Sequence, residues 1–280
     1  MHPFNHPSIL RLIATALEED LGRGDVTTLA TIPPDRTAQG KITAKADLTI
    51  AGLPLVTRVL HVVDPTAGVR LLVTEGSAVK KGQVVLELWG NAAGLLIAER
   101  TLLNFLQHIS GVATLTRKFV DAIVGTKCKI IDTRKTLAGF RVLDKYAVTQ
   151  GGGTNHRMGL DDGILIKDNH IAVCGGVGAA VRRARSHASA LLRIEVECTT
   201  LAEVQEALDA RADIILLDNM TIPQMADAVR LVSGRALLEA SGNMNLERVR
   251  EVAETGVDFI SVGALTHSAP AVDLSMAVIV

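Results

Sequence analysis

Hydrophobic and polar positions alternate in two different rhythms along this chain. Residues 7–22 read as an amphipathic helix: Pro7 suits its first turn, Ile9, Leu10, Ile13, Ala16 and Leu17 form an apolar stripe, and Gly22 stops it. From Thr37 to Trp89 the pattern is short and alternating, with turns at Gly52, Pro54, Gly68, Gly76 and Gly82. KITAKADLTI and VRLLVTEG read there as strands of a small α/β domain. TEGSAVKKGQVVLEL has the shape of a hairpin from folds that carry biotin or lipoate. Lys80 and Lys81 lie in the approach to the turn, however, and no second half follows, so only the hairpin shape is taken from it. A helix is expected over about 92–109, with Leu95, Leu96, Leu102, Leu103 and Leu106 on its apolar face. Gly111 then punctuates a second helical stretch to about Val124. No Pro/Ser-rich linker is present, so a domain boundary near 105–115 would be tight.

Beyond residue 128 short apolar runs end in polar residues: KIIDTRK, GILIKDNH, LRIEVE, DIILLDN, ALLEASG and FISVGAL. The last four place Glu197, Asp218, Ser241 and Gly263 at intervals of 21, 23 and 22 residues, with helical patterns between them. Repeats of this length predict parallel strands with right-handed crossovers. An open doubly wound sheet shares the local signature. A β/α barrel is favoured because at least six strand ends carry polar chemistry, and barrels build their sites there. CGGVGAAV, Cys174 to Val181, imitates a dinucleotide fingerprint. Its glycines do not directly follow a strand and a third glycine is missing, so it reads as a Gly-rich loop before an ordinary helix.

Composition narrows the class. The 280 residues are 48% hydrophobic and 21% charged, enough for a packed core. Aromatic content is 2%, which argues against base-stacking platforms, and a net charge of −1 shows no basic excess for nucleic acid. Cys128, Cys174 and Cys198 have no metal-ligand spacing and no disulfide framework. No apolar run approaches a membrane span, and the first 22 residues lack the signature of a secretory leader. The expectation is a cytoplasmic protein without nucleic-acid or membrane partners.

The stretch Ile131 to His170 is the densest in charge. It holds Asp132, Arg134, Lys135, Arg141, Lys145, His156, Arg157, Lys167, Asp168 and His170, with a triple glycine at 151–153. A solvated basic surface is the ordinary explanation of such a cluster. Arg134 and Lys135 directly follow KIID, however, and Lys167 directly follows GILI. These cations therefore project from strand ends and converge, which suits a small, multiply anionic ligand. Glu197 and Asp218 end the next strands. Asp218–Asn219 could merely cap a helix; alternatively the two acids face a cation, either Mg²⁺ or charge developing in a transition state. Backbone N–H groups at Ser241–Gly242 and Gly263–Ala264 can cradle a phosphate. Together these features fit phosphoribosyl transfer to an acidic acceptor. His170 and His267 suit structural hydrogen bonding, and Cys198 suits a buried thiol.

EEDLGRGDVTT, ERTLLNFLQHISGVAT, DTRKTLAGFR, KYAVTQGGGTNHRMGLDDGILIKDNH, IEVE, ILLDN, EASG and GVDFISVGALTHS occur in this order. The set resembles the quinolinate phosphoribosyltransferase (decarboxylating) family, also called nicotinate-nucleotide pyrophosphorylases, over nearly the whole length. One departure is Leu137–Ala138, where the family usually reads Thr-Pro. The resemblance implies an N-terminal α/β sandwich domain over 1–110, which the C-terminal segment 267–280 can complete. It also implies a C-terminal incomplete α/β barrel of parallel strands over 111–266. The implied reaction joins quinolinate and phosphoribosyl pyrophosphate, giving nicotinate mononucleotide, pyrophosphate and CO₂ in NAD biosynthesis. By motif matching, Thr133, Arg134, Lys135, His156, Arg157 and Lys167 form the quinolinate pocket. Arg100 enters from the other subunit of a homodimer with shared active sites, which can assemble further. Glu197, Asp218, Ser241, Gly242, Asn243, Val262, Gly263 and Ala264 form the phosphoribosyl side. The catalytic candidates are Lys135, Lys167, Glu197 and Asp218. Mg²⁺ would come with phosphoribosyl pyrophosphate, held mainly by its oxygens and water, with Glu197 and Asp218 as candidate protein ligands; no organic cofactor is required. Two rivals are a molybdenum-transport-associated paralogue of the same fold and a non-catalytic binder of a phosphorylated or dicarboxylate metabolite. The latter would have no need of Glu197 and Asp218.

Overall fold

A computed structural model describes residues 3–279. The chain divides into two compact units: residues up to 117, 137–152 and from 269 onward form one, and 118–136 and 153–268 form the other. After a 3₁₀ turn at Pro3–Asn5 the chain enters α1, Pro7–Leu21, with Pro7 in its first turn and Gly22 as its C-cap at φ 53°. Ile9, Ile13 and Leu17 are its buried stripe, while Leu10 is 46% exposed and so falls outside it. Helix α2, Val26–Thr31, is capped by Asp25, which accepts the Thr28 N–H at 2.9 Å. Strands β1 (Thr37–Ala44) and β2 (Leu48–Thr49) lead to α3, Leu53–Val63. Pro54, which reads as a turn, sits in the first turn of this helix, where its missing N–H costs nothing. Strands β3 (Gly68–Leu71), β4 (Ala78–Val79) and β5 (Val84–Asn91) follow.

Helix α4 then runs unbroken over Ala92–Ala122. Gly111 does not punctuate it. A Cβ there would lie 2.3 Å from the Pro270 carbonyl oxygen, so glycine serves a close backbone approach. Next come β6 (Lys129–Ile131), α5 (Arg141–Gln150), β7 (Ile164–Ile166), α6 (Asp168–Cys174) and α7 (Val177–His187). They are followed by β8 (Ile194–Cys198), α8 (Leu201–Asp209), β9 (Ile214–Asp218), α9 (Ile222–Val232) and β10 (Leu237–Ser241). The chain closes with α10 (Val249–Glu254), β11 (Phe259–Ser261), α11 (Ala264–His267) and β12 (Leu274–Ile279). Gly175 caps α6 and Gly176 opens α7, so the glycines that imitate a nucleotide fingerprint form a helix–helix connection.

In the first unit an antiparallel sheet has the order β12-β1-β5-β3, with Gly40 opposite Val278 and Leu88. In the second unit six parallel strands lie in the order β6-β11-β10-β9-β8-β7. A flat sheet of six strands would hold its edges about 24 Å apart. Thr133 just beyond β6 and Lys167 just beyond β7 nevertheless line one cleft. The sheet is therefore rolled into an open barrel. Its seam, between β6 and β7, is occupied by the segment at Thr154. The Thr154 N–H donates to the Ile130 carbonyl at 2.9 Å, and its own carbonyl accepts the Asp132 N–H at 3.2 Å. Period-two alternation turns Leu165 and Lys167, Glu195 and Glu197, Leu216 and Asp218, and Glu239 and Ser241 toward the interior cavities.

Candidate active site

The strand C-termini surround a cleft of about 170 Å³ that carries Arg134, Lys135, Arg157 and Lys167 together with Glu197 and Asp218. It shares Thr133, Lys135, Lys167, Glu197, Asp218 and Ser241 with a wider mouth of about 620 Å³, where Gly242, Asn243, Gly263 and Ala264 join them. A stretch that looks like a basic surface in one dimension is thus split. Arg134, Lys135, Arg157 and Lys167 face a common space, whereas Lys145 is fully buried on α5 in the other unit and Arg141 begins that helix. Arg100 is exposed on α4, also in the other unit, and lines neither cavity. Val262 is 1% exposed, lines neither cavity, and donates its N–H to the Ile131 carbonyl at 3.0 Å, so the structure does not bring it into the site with Gly263 and Ala264.

The cations are held by their own backbone contexts. The Lys135 N–H donates to Thr133 Oγ1 at 3.0 Å, and the Lys135 carbonyl accepts the Thr266 hydroxyl at 2.8 Å. Lys167 is the N-cap residue of α6, and its N–H donates to His170 Nδ1 at 3.0 Å, which gives His170 a structural role. Arg157 Nη1 donates to the Gly163 carbonyl at 2.9 Å, while its Nε is buried without a hydrogen-bond partner. Burial first, and repulsion from Arg134 second, make the Arg157 cation less favourable than usual. An anion between the two guanidiniums would relieve both effects.

Glu197 and Asp218 are not helix caps. Thr200 caps α8 and Thr221 caps α9, each with a reciprocal capping box, so both acids are left to the cleft. Burial and then the nearby Asp218 push the Glu197 carboxyl above its ordinary value, with Lys167 acting in the opposite direction. Asp218 accepts the Asn219 side-chain amide at 2.7 Å. Asn219, at φ 53°, organises the adjoining loop: its N–H donates to the Ser241 carbonyl at 3.0 Å, and its Oδ1 accepts from Asn243 at 3.3 Å. Gly242, at φ 98°, is packed so closely that a Cβ would stand 2.2 Å from Asn219 Oδ1. Cys198 is fully buried, and burial pushes its thiol up to about 12, away from the thiolate a nucleophile needs.

His156 and Glu239 line the same cleft as the cations, and with Glu195 they form a buried set of which the motif match assigns a role to His156 alone. His156 Nε2 is 2.9 Å from Glu195 Oε2 and 3.5 Å from Glu239 Oε2, and the two glutamate side chains are only 4% and 3% exposed. Burial raises the Glu195 carboxyl to about 7, and burial together with Glu195 raises Glu239 well above the carboxylate range. The signal that could have found them is the interior parity they share with Glu197 and Ser241, two residues later in each strand.

A parallel β/α barrel that gathers cations, a carboxylate pair and glycine loops at its strand C-termini belongs to the class of barrel proteins acting on small, multiply anionic substrates. Profiles of the two domains of quinolinate phosphoribosyl transferase match this chain, the N-terminal domain over residues 25–110 and the C-terminal domain over 112–277. The chain belongs to the quinolinate phosphoribosyltransferase family. Among similar proteins, quinolinate phosphoribosyltransferase [decarboxylating] 2b, mitochondrial, of Nicotiana tabacum is 43% identical, with 98% of this chain and 84% of the relative covered. A probable nicotinate-nucleotide pyrophosphorylase [carboxylating] of Bacillus subtilis is 41% identical, with 97% and 94% covered. The crystal structure of NadC from Streptococcus pyogenes matches with a TM-score of 0.95 and 38% identity, over 100% of this chain and 98% of that one.

Proposed function

We infer that the chain transfers the phosphoribosyl group of phosphoribosyl pyrophosphate to quinolinate and releases CO₂, forming nicotinate mononucleotide and pyrophosphate in NAD biosynthesis. The observation that carries this reading is one cleft lined by four cations together with the Glu197–Asp218 pair. A pyridine 2,3-dicarboxylate needs at least two cationic partners, and Arg134 and Arg157 are suited to bidentate contacts. As the pyridine nitrogen bonds to the anomeric carbon, the bond to pyrophosphate breaks and its electron pair leaves with that group. Positive charge that builds on the ribose ring falls to Glu197 and Asp218. The bond from C2 to its carboxylate then breaks; the electron pair stays at C2, stabilised by the ring nitrogen's new positive charge, and a proton from Lys135 or Lys167 completes the product.

Glu197 and Asp218 offer neighbouring carboxylate oxygens, a donor set that fits Mg²⁺ carried in with the pyrophosphate substrate. When bound, the ion supplies charge neutralisation for the departing pyrophosphate. The loops at Ser241–Asn243 and Gly263–Ala264 would hold the 5-phosphate and ribose. Arg100, exposed on a helix outside this unit, is assigned to the active site of a second copy in a homodimer. The three free cysteines suit a reducing compartment such as the cytoplasm, and among the described residues no helix is long and apolar enough to cross a membrane. The relative from Nicotiana tabacum is named mitochondrial.

Purified protein given quinolinate, phosphoribosyl pyrophosphate and Mg²⁺ should release pyrophosphate and CO₂ in equal amounts. Binding of both substrates without turnover would instead favour a non-catalytic binder.

A further inference from the structure

His156 lines the cleft beside Arg157, yet both of its ring nitrogens are engaged inside the protein. Its Nδ1 accepts the Arg157 N–H at 2.7 Å, and its Nε2 lies against Glu195 at 2.9 Å and Glu239 at 3.5 Å. An imidazole whose Nδ1 accepts a hydrogen bond carries its proton on Nε2, so the ring donates to Glu195 while the Glu239 carboxyl faces the same N–H at 3.5 Å. The His156 backbone N–H is also committed, to Asp132 Oδ1 at 2.8 Å, and Asp132 is fully buried. His156 and the two glutamates form a cluster whose ligand atoms lie within 4.8 Å of one another, close enough to suggest a metal site. Its chemistry opposes one: a metal at Nε2 would need a lone pair there while the Nδ1 lone pair is already used, which amounts to an imidazolate.

The position of the cluster points to another role. Thr154 runs along β6 in the barrel's open seam. Two residues later His156 ties this segment across the interior to β8 through Glu195 and to β10 through Glu239. The next residue is Arg157, whose backbone hangs on the His156 ring and whose guanidinium lines the cleft.

We propose that Glu195 and Glu239 are positioning residues that act through His156 to aim Arg157 at the dicarboxylate substrate, and that His156 does not itself contact that substrate. The inference rests on quinolinate being the ligand of this cleft. It differs from the motif-based assignment, which places His156 among the groups touching quinolinate.

The test is a double-mutant cycle read by calorimetry, with quinolinate and phosphoribosyl pyrophosphate titrated separately. His156→Asn and Glu239→Leu should each weaken quinolinate binding at least tenfold when Arg157 is present, and less than twofold in an Arg157→Ala background. Phosphoribosyl pyrophosphate affinity should move less than twofold, because the wider mouth that carries Glu197, Asp218 and the glycine loops is lined by neither His156, Arg157, Glu195 nor Glu239. Glu239→Gln keeps a carbonyl acceptor for Nε2–H and should retain most of the quinolinate affinity. Equal losses in both Arg157 backgrounds would show direct contact by His156 and overturn the inference. So would equal weakening of the two substrates, which marks general packing. If Glu239→Leu does not fold, the cycle between His156→Asn and Arg157→Ala decides alone. An unaltered protein that binds no quinolinate overturns the functional reading itself, and this inference with it.

Discussion

Replacing Gly242 by alanine adds one methyl group at a point where both backbone and packing forbid it. The residue sits at φ 98°, and its new Cβ would stand 2.2 Å from Asn219 Oδ1. Holding an L-residue in such a sparsely populated conformation costs about 1–3 kcal/mol. Asn219 must also withdraw, and with it go its contacts to Asn243 and Asp218, each worth roughly 0.5–1.5 kcal/mol. Gly242→Ala should therefore destabilise the barrel unit by about 2–6 kcal/mol, lowering its midpoint by roughly 4–24 °C. The functional consequence should be selective. The altered loop adjoins Ser241 and Asp218 on the phosphoribosyl side, whereas Arg134 and Arg157 lie elsewhere in the cleft. Calorimetric unfolding paired with separate titrations of the two substrates measures both effects. Phosphoribosyl pyrophosphate should bind at least tenfold more weakly, with quinolinate nearly unchanged. A variant within 0.5 kcal/mol of the parent, roughly the scatter of neutral surface changes, with normal phosphoribosyl pyrophosphate affinity would refute the argument from close approach.

Glu197→Gln keeps the shape of the side chain and removes its charge, so it should depress kcat far more than it raises KM; an effect on KM alone would reassign Glu197 to ground-state binding. Arg134→Ala should weaken quinolinate more than phosphoribosyl pyrophosphate, with Arg134→Lys only a partial rescue, and equal weakening by calorimetry would contradict that role. Arg100→Ala and Glu197→Gln, each inactive alone, should regain activity when mixed under subunit exchange, because one composite site then carries neither lesion; verified exchange without activity removes Arg100 from a shared site. The Glu239 carboxyl is held protonated above its ordinary range by burial first and by Glu195 second. Its contribution to stability is therefore complete below the unfolded-state pKa and is lost as pH rises through the folded value. The stability of Glu239→Gln relative to the parent should accordingly improve from pH 5 to pH 8, and a flat difference in denaturant titrations would show that Glu239 is ionised in the fold.

The strand–helix repeat of the second half, and the strand ends that carry chemistry, follow from local pattern alone. Strand length, crossover length and the polar residue after each apolar run are local properties, written in consecutive residues such as DIILLDN and ALLEASG. The helix caps are local too, since Thr200 with Glu203 and Thr221 with Gln224 are pairs three residues apart, but in the sequence Asp218–Asn219 competes for the second of them and the fold decides for Thr221. Other features depend on residues far apart in the chain and emerge only in the folded molecule. Gly111 reads as a break until the Pro270 carbonyl is brought against it, and β12 becomes a strand by pairing with β1 across more than 200 residues. Arg134 and Lys145 belong to one dense basic run, yet the fold sends one to the cleft and seals the other in a different unit. Glu195 and Glu239 look in one dimension like charges stranded inside apolar runs. Their meaning comes from curling the sheet, which brings the glutamates of β8 and β10 to 2.9 and 3.5 Å from the His156 ring at the seam. Local patterns specify elements because neighbouring residues share backbone constraints. Which side chains meet is set by long-range burial, and no spacing along the chain encodes it.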